Sequence, residues 1–190
     1  VQVRNAATIG GSIANGSPIG DNAPALIALG ATLRLRRGDA RRDIPLEDFF
    51  IDYGKQDRSA GEFVEAITIP ADAPNLRCYK ISKRFDQDIT AVLGCFNLTF
   101  DGGIVTEARI AFGGMAGTPK RATHVEAAIT GKRLEASTLD AARAAMAEDF
   151  TPLSDMRASA TYRLETARNL LDRYLAEMRG EPVSVLEVRP

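Results

Sequence analysis

Residues 91–112, AVLGCFNLTFDGGIVTEARIAF, consist of two apolar-rich segments separated by Asp101-Gly102-Gly103. Such a turn between two segments rich in β-branched and aromatic residues is a strong signal for a β-hairpin, because glycine adopts the backbone angles that tight turns need. We therefore predict strands over 91–100 and 104–112. A further segment with strand character covers 77–84. Together these segments predict a three-stranded antiparallel sheet.

Three helical segments follow the predicted sheet. They cover 123–129, 138–146 and 159–178. Along the last segment, apolar residues recur at alternating spacings of three and four, which places them on one face of a helix that Gly180 and Pro182 end. The simplest partner for that face is the sheet. The sequence therefore predicts an α+β lobe with helices packed on one face of a three-stranded antiparallel sheet.

The part of the chain that precedes this lobe has a different composition. Residues 4–21 are dense in small and turn-forming residues, which is typical of a segment that follows a surface or a ligand. A short apolar helix is predicted over 25–29, with Asp21 able to cap it. Alternating apolar and polar residues predict strands over 31–36 and 63–69.

Two prolines, Pro70 and Pro74, interrupt any strand that would continue beyond this region. We therefore place a subdomain boundary there. The predicted units are residues 1–70, residues 71–179 and a tail over 180–190.

The composition excludes several classes of protein. Hydrophobic residues make up 45% and charged residues 26% of the 190 residues, which are ordinary globular values and argue against disorder. No apolar run is long enough to span a membrane. The 24 basic and 25 acidic residues leave a net charge of -1, which lacks the basic excess that nucleic acid or anionic lipid would attract. Neither is an expected partner.

Cysteine usage and the start of the chain give two further expectations. Cys78 and Cys95 are too few for a thiolate metal cluster, so no metal site is predicted, and they suit the reducing environment of the cytoplasm. The chain opens without an initiator Met or a signal peptide. We expect a piece of a longer polypeptide.

The glycine-rich opening contains the first candidate binding residues. Gly10 and Gly11 lack side chains, so a ligand can approach their backbone closely. Thr8 and Ser12 provide hydroxyl groups beside them, and the Asp21 carboxylate can accept from sugar-type hydroxyls. This combination suits a phosphorylated, polyhydroxylated ligand. The stretch matches neither a dinucleotide-binding fingerprint nor a P-loop, and a structural cluster of turns remains the alternative.

Lys80 and the charged run over 83–88 form a second candidate. A strand lysine beside a loop of mixed charge can hold an anionic ring or a carbonyl. A solvated strand edge is the alternative. We interpret His124 as a surface residue and the two cysteines as small buried hydrophobes, so no catalytic side chain is assigned.

Several motifs, in order along the chain, resemble the flavin domain of the molybdenum hydroxylases, and most closely that of xanthine dehydrogenase small subunits. They are RNAATIGGSIANGSPIGD (4–21), PLEDFF (45–50), YKISKRFDQDI (79–89), AFGGMAGTPKRA (111–122) and PLSDMRASA (152–160). The resemblance covers nearly the whole chain up to about residue 175. It departs at Ser12, where the family usually has Asn. It implies the C-terminal part of a mixed FAD-binding domain, followed by an antiparallel α+β lobe.

The resemblance also implies FAD as a cofactor and a set of residues that contact it. By motif position, Ala7, Thr8, Gly11, Ser12, Gly20 and Asp21 line the pyrophosphate and sugar-like chain, Phe63 and Val64 lie on a strand that passes the flavin, and Lys80 lies beside the isoalloxazine ring. The loop over 84–88 corresponds to a family segment near the nicotinamide entrance.

The implied role is electron transfer. The chain would pass electrons from iron-sulfur clusters through FAD to NAD during oxidation of hypoxanthine or xanthine. The [2Fe-2S] clusters and molybdopterin would be bound outside this chain, on the N-terminal part of the same subunit and on a molybdenum-binding large subunit. Two alternatives stay open: another molybdenum hydroxylase that oxidises carbon monoxide or aldehydes, and a non-catalytic lobe that docks partner subunits through the helix over 159–178.

Overall fold

The computed structural model describes residues 5–85 and 87–184, and these form an α+β structure. The helices are α1 (Ile9–Asn15), α2 (Asn22–Ala28), α3 (Thr123–Ile129), α4 (Ala136–Asp149) and α5 (Ala160–Met178). The strands are β1 (Thr32–Arg37), β2 (Ala40–Pro45), β3 (Phe50–Asp52), β4 (Lys55–Gln56), β5 (Phe63–Thr68), β6 (Arg77–Ile81), β7 (Val92–Asp101), β8 (Ile104–Gly113) and β9 (Lys120–Arg121). A short 3-10 helix covers Leu46–Phe49.

The β7–β8 hairpin forms the middle of a four-stranded antiparallel sheet with strand order β6-β7-β8-β9. Gly102 and Gly103 both have positive φ, 54° and 82°, which L-residues with a side chain rarely adopt. The predicted hairpin and the predicted third strand are therefore confirmed. The sheet has one strand more than expected, because β9 adds two residues opposite Ala111 and Phe112. Two residues are too few to leave a periodic signal in the sequence.

One face of this sheet packs on the helices, as the sequence predicts. The aromatic residues Tyr79, Phe96 and Phe112 belong to the same core as the buried face of α5. Within this core the ring of Tyr174 on α5 stacks on Phe96 with a centroid distance of 5.3 Å. Aromatic side chains bury large apolar areas, so this contact helps to hold α5 on the sheet.

The opposite face of the sheet is also buried. Leu93, Cys95 and Ala111 belong to a second core, which includes Ile27 on α2 and Leu33 on β1. In this region β1 pairs with both β2 and β5, giving a three-stranded sheet of order β2-β1-β5. Residues 92–96 of β7 and 110–113 of β8 are therefore covered on both sides, whereas residues nearer the turn include exposed ones.

The glycine-rich stretch differs from the expectation of a turn-rich segment, because α1 lies within it. The Thr8 side chain accepts a hydrogen bond from the Gly11 amide at 3.0 Å, and Gly16 adopts the left-handed conformation that ends the helix. This N-cap and C-cap outweigh the low helix propensity of two glycines. Helix α2 begins at Asn22, earlier than predicted, and Asp21 makes no side-chain cap bond there.

Arg163 in the first turn of α5 fixes the ends of the hairpin. Its buried guanidinium donates to the carbonyl oxygens of Ala91 and Gly114, and to Asp155 at 2.8 Å. Burial opposes ionisation of Asp155, but hydrogen bonds from two backbone amides and from Arg163 outweigh it and lower the pKa of Asp155 to about 2. Gly114 in turn donates its amide to Pro18 at 2.8 Å, which ties the sheet to the segment that precedes α2.

In the described part of the chain, no helix combines the length and the apolar character that crossing a bilayer requires.

Substitution of Gly94 tests the packing of the hairpin against the helices. A Cβ atom at this buried position would lie 2.9 Å from both Phe96 and Phe112. Gly94→Ala is therefore expected to lower the free energy of unfolding by about 1–3 kcal/mol, because the rings cannot move without strain. Urea denaturation measures the change.

The matched control for this variant is Gly117→Ala. A Cβ atom there would lie 3.6 Å from Tyr53, an ordinary contact, so the expected change in unfolding free energy is within about 0.5 kcal/mol. Equal denaturation midpoints for the two variants would contradict the close packing described for Gly94.

Candidate functional site

The N-terminal end of α1 presents small and polar residues to solvent. Thr8 is exposed and caps the helix through its hydroxyl oxygen, and its carbonyl accepts from the amide of Ser12 at 3.0 Å. The helix itself supplies no partners for the amides of Ile9 and Gly10, since the first amides of any helix lie beyond the intrahelical ladder. No acidic residue lies in the first turn. This end of α1 can therefore accept an anionic group.

Gly10 lies where α1 crosses β5. A Cβ atom on Gly10 would meet the Val64 side chain at 3.5 Å, which is an ordinary van der Waals distance. Glycine inside a helix costs about 0.5–1 kcal/mol relative to alanine. Packing within the chain therefore leaves room for a larger residue at this position and does not explain the glycine.

Asp21 lies between two partners that are distant in sequence. Lys80 donates to one carboxylate oxygen at 2.7 Å, and the hydroxyl of Thr90 donates to the other. Lys80 and Asp21 are both partly exposed, with 38% and 45% of the side-chain area accessible. Thr90 is buried, so it holds the carboxylate from the protein side. Asp21 is thereby oriented, and a carboxylate retains further acceptor positions for a ligand.

A second bond links this pair to α1. Asn22 follows Asp21 directly, and its side-chain amide donates to the hydroxyl of Ser12 at 3.1 Å. The bonds thus connect α1, α2 and β6 into one set of residues, which we call the polar strip: Thr8, Ser12, Asp21, Asn22, Lys80 and Thr90.

Four of the other predicted site residues lie beside the polar strip or α1: Ala7, Gly11, Gly20 and Val64. Ala7 is exposed beside Thr8, and Gly11 lies within α1, where a Cβ atom would approach the Thr8 hydroxyl to 3.0 Å. Gly20 precedes Asp21 and donates its amide to Ser17. On β5, Val64 packs beside Gly10, whereas Phe63, which is 50% exposed, points to the other face of the strand.

Asn22 and Thr90 are the residues of the polar strip that were not predicted as site residues. Thr90 reaches Asp21 across 69 positions of sequence. A single threonine between two strands carries no local pattern, so only the fold reveals this contact.

The predicted loop over 84–88 is held by local bonds. The backbone amide and side chain of Arg84 donate to Asp88, and these bonds lower the pKa of Asp88 to about 2. Lys83 donates to the carbonyl of Met156 at 2.6 Å. Asp86 lies outside the described residues.

His124 and Cys78 complete the list of sequence candidates. His124 is an exposed residue at the start of α3, and its amide and ring both contact the buried carboxylate of Asp149. Asp149 therefore acts as a cap for α3. Cys95 is buried as interpreted, but Cys78 is exposed, so that interpretation is wrong for Cys78. The side chain of Cys78 alternates with that of buried Tyr79 and points to the other face of β6.

Comparison with known proteins identifies the family. Residues 77–178 match the family described as CO dehydrogenase flavoprotein C-terminal domain, and residues 1–72 match the FAD binding domain in molybdopterin dehydrogenase. The chain belongs to the FAD-binding domain family of the molybdopterin dehydrogenases. The resemblance seen in the sequence motifs is thus confirmed.

Individual relatives of this flavoprotein domain differ in the substrates after which they are named. The chain is 35% identical over 182 residues to nicotinate hydroxylase hnxS of Emericella nidulans and 32% identical over 186 residues to xanthine dehydrogenase of the same organism. These alignments cover 91% and 95% of this chain but 14% of each relative. The structure of reconstituted CO dehydrogenase from Oligotropha carboxidovorans aligns with a TM-score of 0.86 and 28% identity, covering 95% of this chain and 64% of that one.

The residues present fit FAD. The exposed end of α1 offers backbone amides without acidic neighbours, which suits a diphosphate. Gly10 leaves the space that a Cβ atom would fill. The exposed aliphatic side chain of Ile9, the first residue of α1, offers apolar contact beside these amides.

Substitution of Gly10 separates folding from binding. Gly10→Ala is expected to leave the stability of the ligand-free protein unchanged or to raise it by about 0.5–1 kcal/mol, because alanine favours the helix. The same methyl group is expected to weaken FAD binding about tenfold or more, equivalent to about 1.4 kcal/mol. Thermal denaturation of the FAD-free protein and flavin fluorescence titration measure the two effects. Unchanged FAD affinity would show that no ligand approaches Gly10.

Proposed function

We propose that this chain carries FAD in a xanthine dehydrogenase and transfers electrons out of that enzyme. In this proposal Ala7, Thr8, Gly11, Ser12, Gly20, Asp21, Phe63, Val64 and Lys80 contact the cofactor. The main support is the bond of 2.7 Å between Asp21 and Lys80, which joins two family motifs across 59 positions of sequence. Two motifs that meet in this way can act on one ligand.

Each part of the polar strip has a separate task. The amides at the start of α1 bind the diphosphate, and Thr8 keeps that helix end formed by capping it. Asp21 accepts from the sugar-like chain with the acceptor positions that Lys80 and Thr90 leave free. Bound FAD supplies the electron and hydride chemistry, which no amino-acid side chain provides.

Lys80 adjusts the electrostatic environment of the ring. A positive charge beside an electron-rich group stabilises it, so the ammonium group favours the reduced cofactor. The carboxylate of Asp21 at 2.7 Å offsets part of this charge. The reduction potential of the cofactor therefore depends on both residues, with opposite signs.

The proposal extends to the acceptor, the substrate and the partners. NAD accepts the electrons, and hypoxanthine or xanthine supplies them through iron-sulfur clusters and molybdopterin on other parts of the enzyme. The purine substrate rests on the motifs over 81–89 and 154–157, since the identities to a nicotinate hydroxylase and a xanthine dehydrogenase, 35% and 32%, do not separate the two. The partners are a molybdenum-binding large subunit and the N-terminal part of the same subunit, in the cytoplasm. Within this chain, residues 1–70 complete the FAD-binding subdomain and residues 71–179 form the C-terminal lobe.

Paired substitutions test the role of Lys80 in the full-length flavoprotein. Lys80→Gln is expected to lower the reduction potential of bound FAD, because it removes the positive charge. Asp21→Asn is expected to raise the potential, since Lys80 then keeps its charge without a neighbouring carboxylate. Lys80→Arg keeps the charge and serves as the control. Spectroelectrochemical titration measures the potentials, and equal values in all variants would place Lys80 away from the ring.

Electron transfer is tested under anaerobic conditions in the complete enzyme. Addition of NADH is expected to bleach the flavin absorbance, and so is addition of xanthine. Bleaching by carbon monoxide, an aldehyde or nicotinate in place of xanthine would favour another molybdenum hydroxylase. Bleaching by dithionite but not by NADH would contradict NAD as acceptor. A colourless enzyme that takes up no FAD would support the docking lobe.

A further inference from the structure

Cys78 on β6 and Cys95 on β7 lie directly opposite each other in the sheet. Cys78 is exposed, and Cys95 is completely buried. Both thiols are free. The proposed function uses neither of them.

The hydrogen-bonding pattern of the sheet shows which kind of pair they form. The amide of Ile110 donates to Glu126 and its carbonyl accepts from Ala122, so the backbone groups of Ile110 face away from β7. Backbone groups alternate along a strand, and those of Ala111 therefore face β7, where its partner is Cys95. The backbone amide and carbonyl of Cys95 therefore form their hydrogen bonds with β8.

It follows that Cys78 and Cys95 are a non-hydrogen-bonded pair across β6 and β7. Leu98 provides a check on this assignment. It lies three positions from Cys95 on β7, so its backbone groups face the opposite way, toward β6. Its carbonyl accepts from the side chain of Asn75, just before β6, at 2.8 Å. In non-hydrogen-bonded antiparallel pairs the Cα atoms are about 4.5 Å apart and the side chains approach closely. This separation lies within the range of about 4.4–6.8 Å that disulfides occupy.

The pKa values of the two thiols are shifted in opposite directions. A hydrogen bond between them lowers the pKa of the Cys78 thiol and raises that of Cys95, and burial adds to the rise at Cys95. This is the polarity expected when the buried thiol donates its S–H to the exposed sulfur. The exposed sulfur therefore carries the greater thiolate character, which is the reactive form of cysteine.

We propose that Cys78 and Cys95 are a peroxide-sensitive pair that closes to a disulfide across β6 and β7. The Cys78 thiolate attacks one oxygen of a hydrogen peroxide molecule, the O–O bond breaks, and the other oxygen leaves as hydroxide, which takes a proton to become water. Cys78 is then a sulfenic acid. The sulfur of Cys95 attacks it, the S–O bond breaks, and the proton of Cys95 leaves with the oxygen as a second water. Two thiols are oxidised and one peroxide is reduced.

The cysteine pair lies close to Lys80 of the polar strip. Cys78 and Lys80 are two residues apart on β6, so their side chains share one face of the strand. Strand β6 is at the edge of its sheet. A disulfide therefore ties the strand that carries Lys80 to the central strand β7.

Peptide mapping of the full-length protein tests the proposal. Tryptic cleavage after Arg77, Lys80, Arg84 and Arg109 places the two cysteines in peptides 78–80 and 85–109. After treatment with hydrogen peroxide and alkylation of the remaining thiols, we expect these two peptides linked, at the sum of their masses less two hydrogen atoms. Dithiothreitol is expected to separate them.

Two variants assign the roles of the thiols. Cys95→Ala removes the resolving thiol, so peroxide is expected to give a sulfenic acid at Cys78 that dimedone traps. Cys78→Ser, at an exposed position, is expected to leave Cys95 unmodified. The proposal is overturned if the wild-type protein forms sulfinic acid at Cys78 with Cys95 still alkylated, or if Cys78 links two chains. It is also overturned if both thiols survive peroxide that oxidises free glutathione.

Discussion

The burial of the β7–β8 hairpin on both faces is the constraint on which the rest of the structure depends. One face contributes Phe96 and Phe112 to the core beneath the helices, and the other contributes Leu93 and Cys95 to the core around α2. Because successive side chains of a strand point to opposite faces, the buried residues of these strands alternate between the two cores. A shift of register by one residue would exchange the two sets, so both cores specify the same alignment.

This arrangement creates the polar strip without requiring strong polar bonds. The sheet places β6 beside the start of α2, and Lys80 and Asp21 meet there as a partly exposed ion pair. Exposed pairs of this kind contribute about 0–1 kcal/mol, which is too little to fix the relation of two chain segments. The apolar cores therefore fix the position of β6 relative to α2, and the ion pair forms as a consequence of that position. The side chain of Lys80 remains 38% exposed in this pair.

The family supplies a context for these residues. Relatives named for nicotinate, xanthine and carbon monoxide share the fold or the sequence of this flavoprotein domain. The described polar strip suits a nucleotide diphosphate and a ring, features that one cofactor would present in every case. In the proposed function, substrate choice therefore belongs to other parts of the complete enzyme, whereas α1, α2 and β6 act on the cofactor.

Local chemistry in the sequence determined the β7–β8 hairpin through Asp101-Gly102-Gly103, the helix α5 through its apolar spacing, and the family through its ordered motifs. Tertiary structure alone decided the contact of Thr90 with Asp21 and the opposition of the two cysteines. The physical reason is range. A turn or a helix face depends on neighbours within a few residues, whereas a partner 69 positions away is chosen by how two cores pack against one sheet.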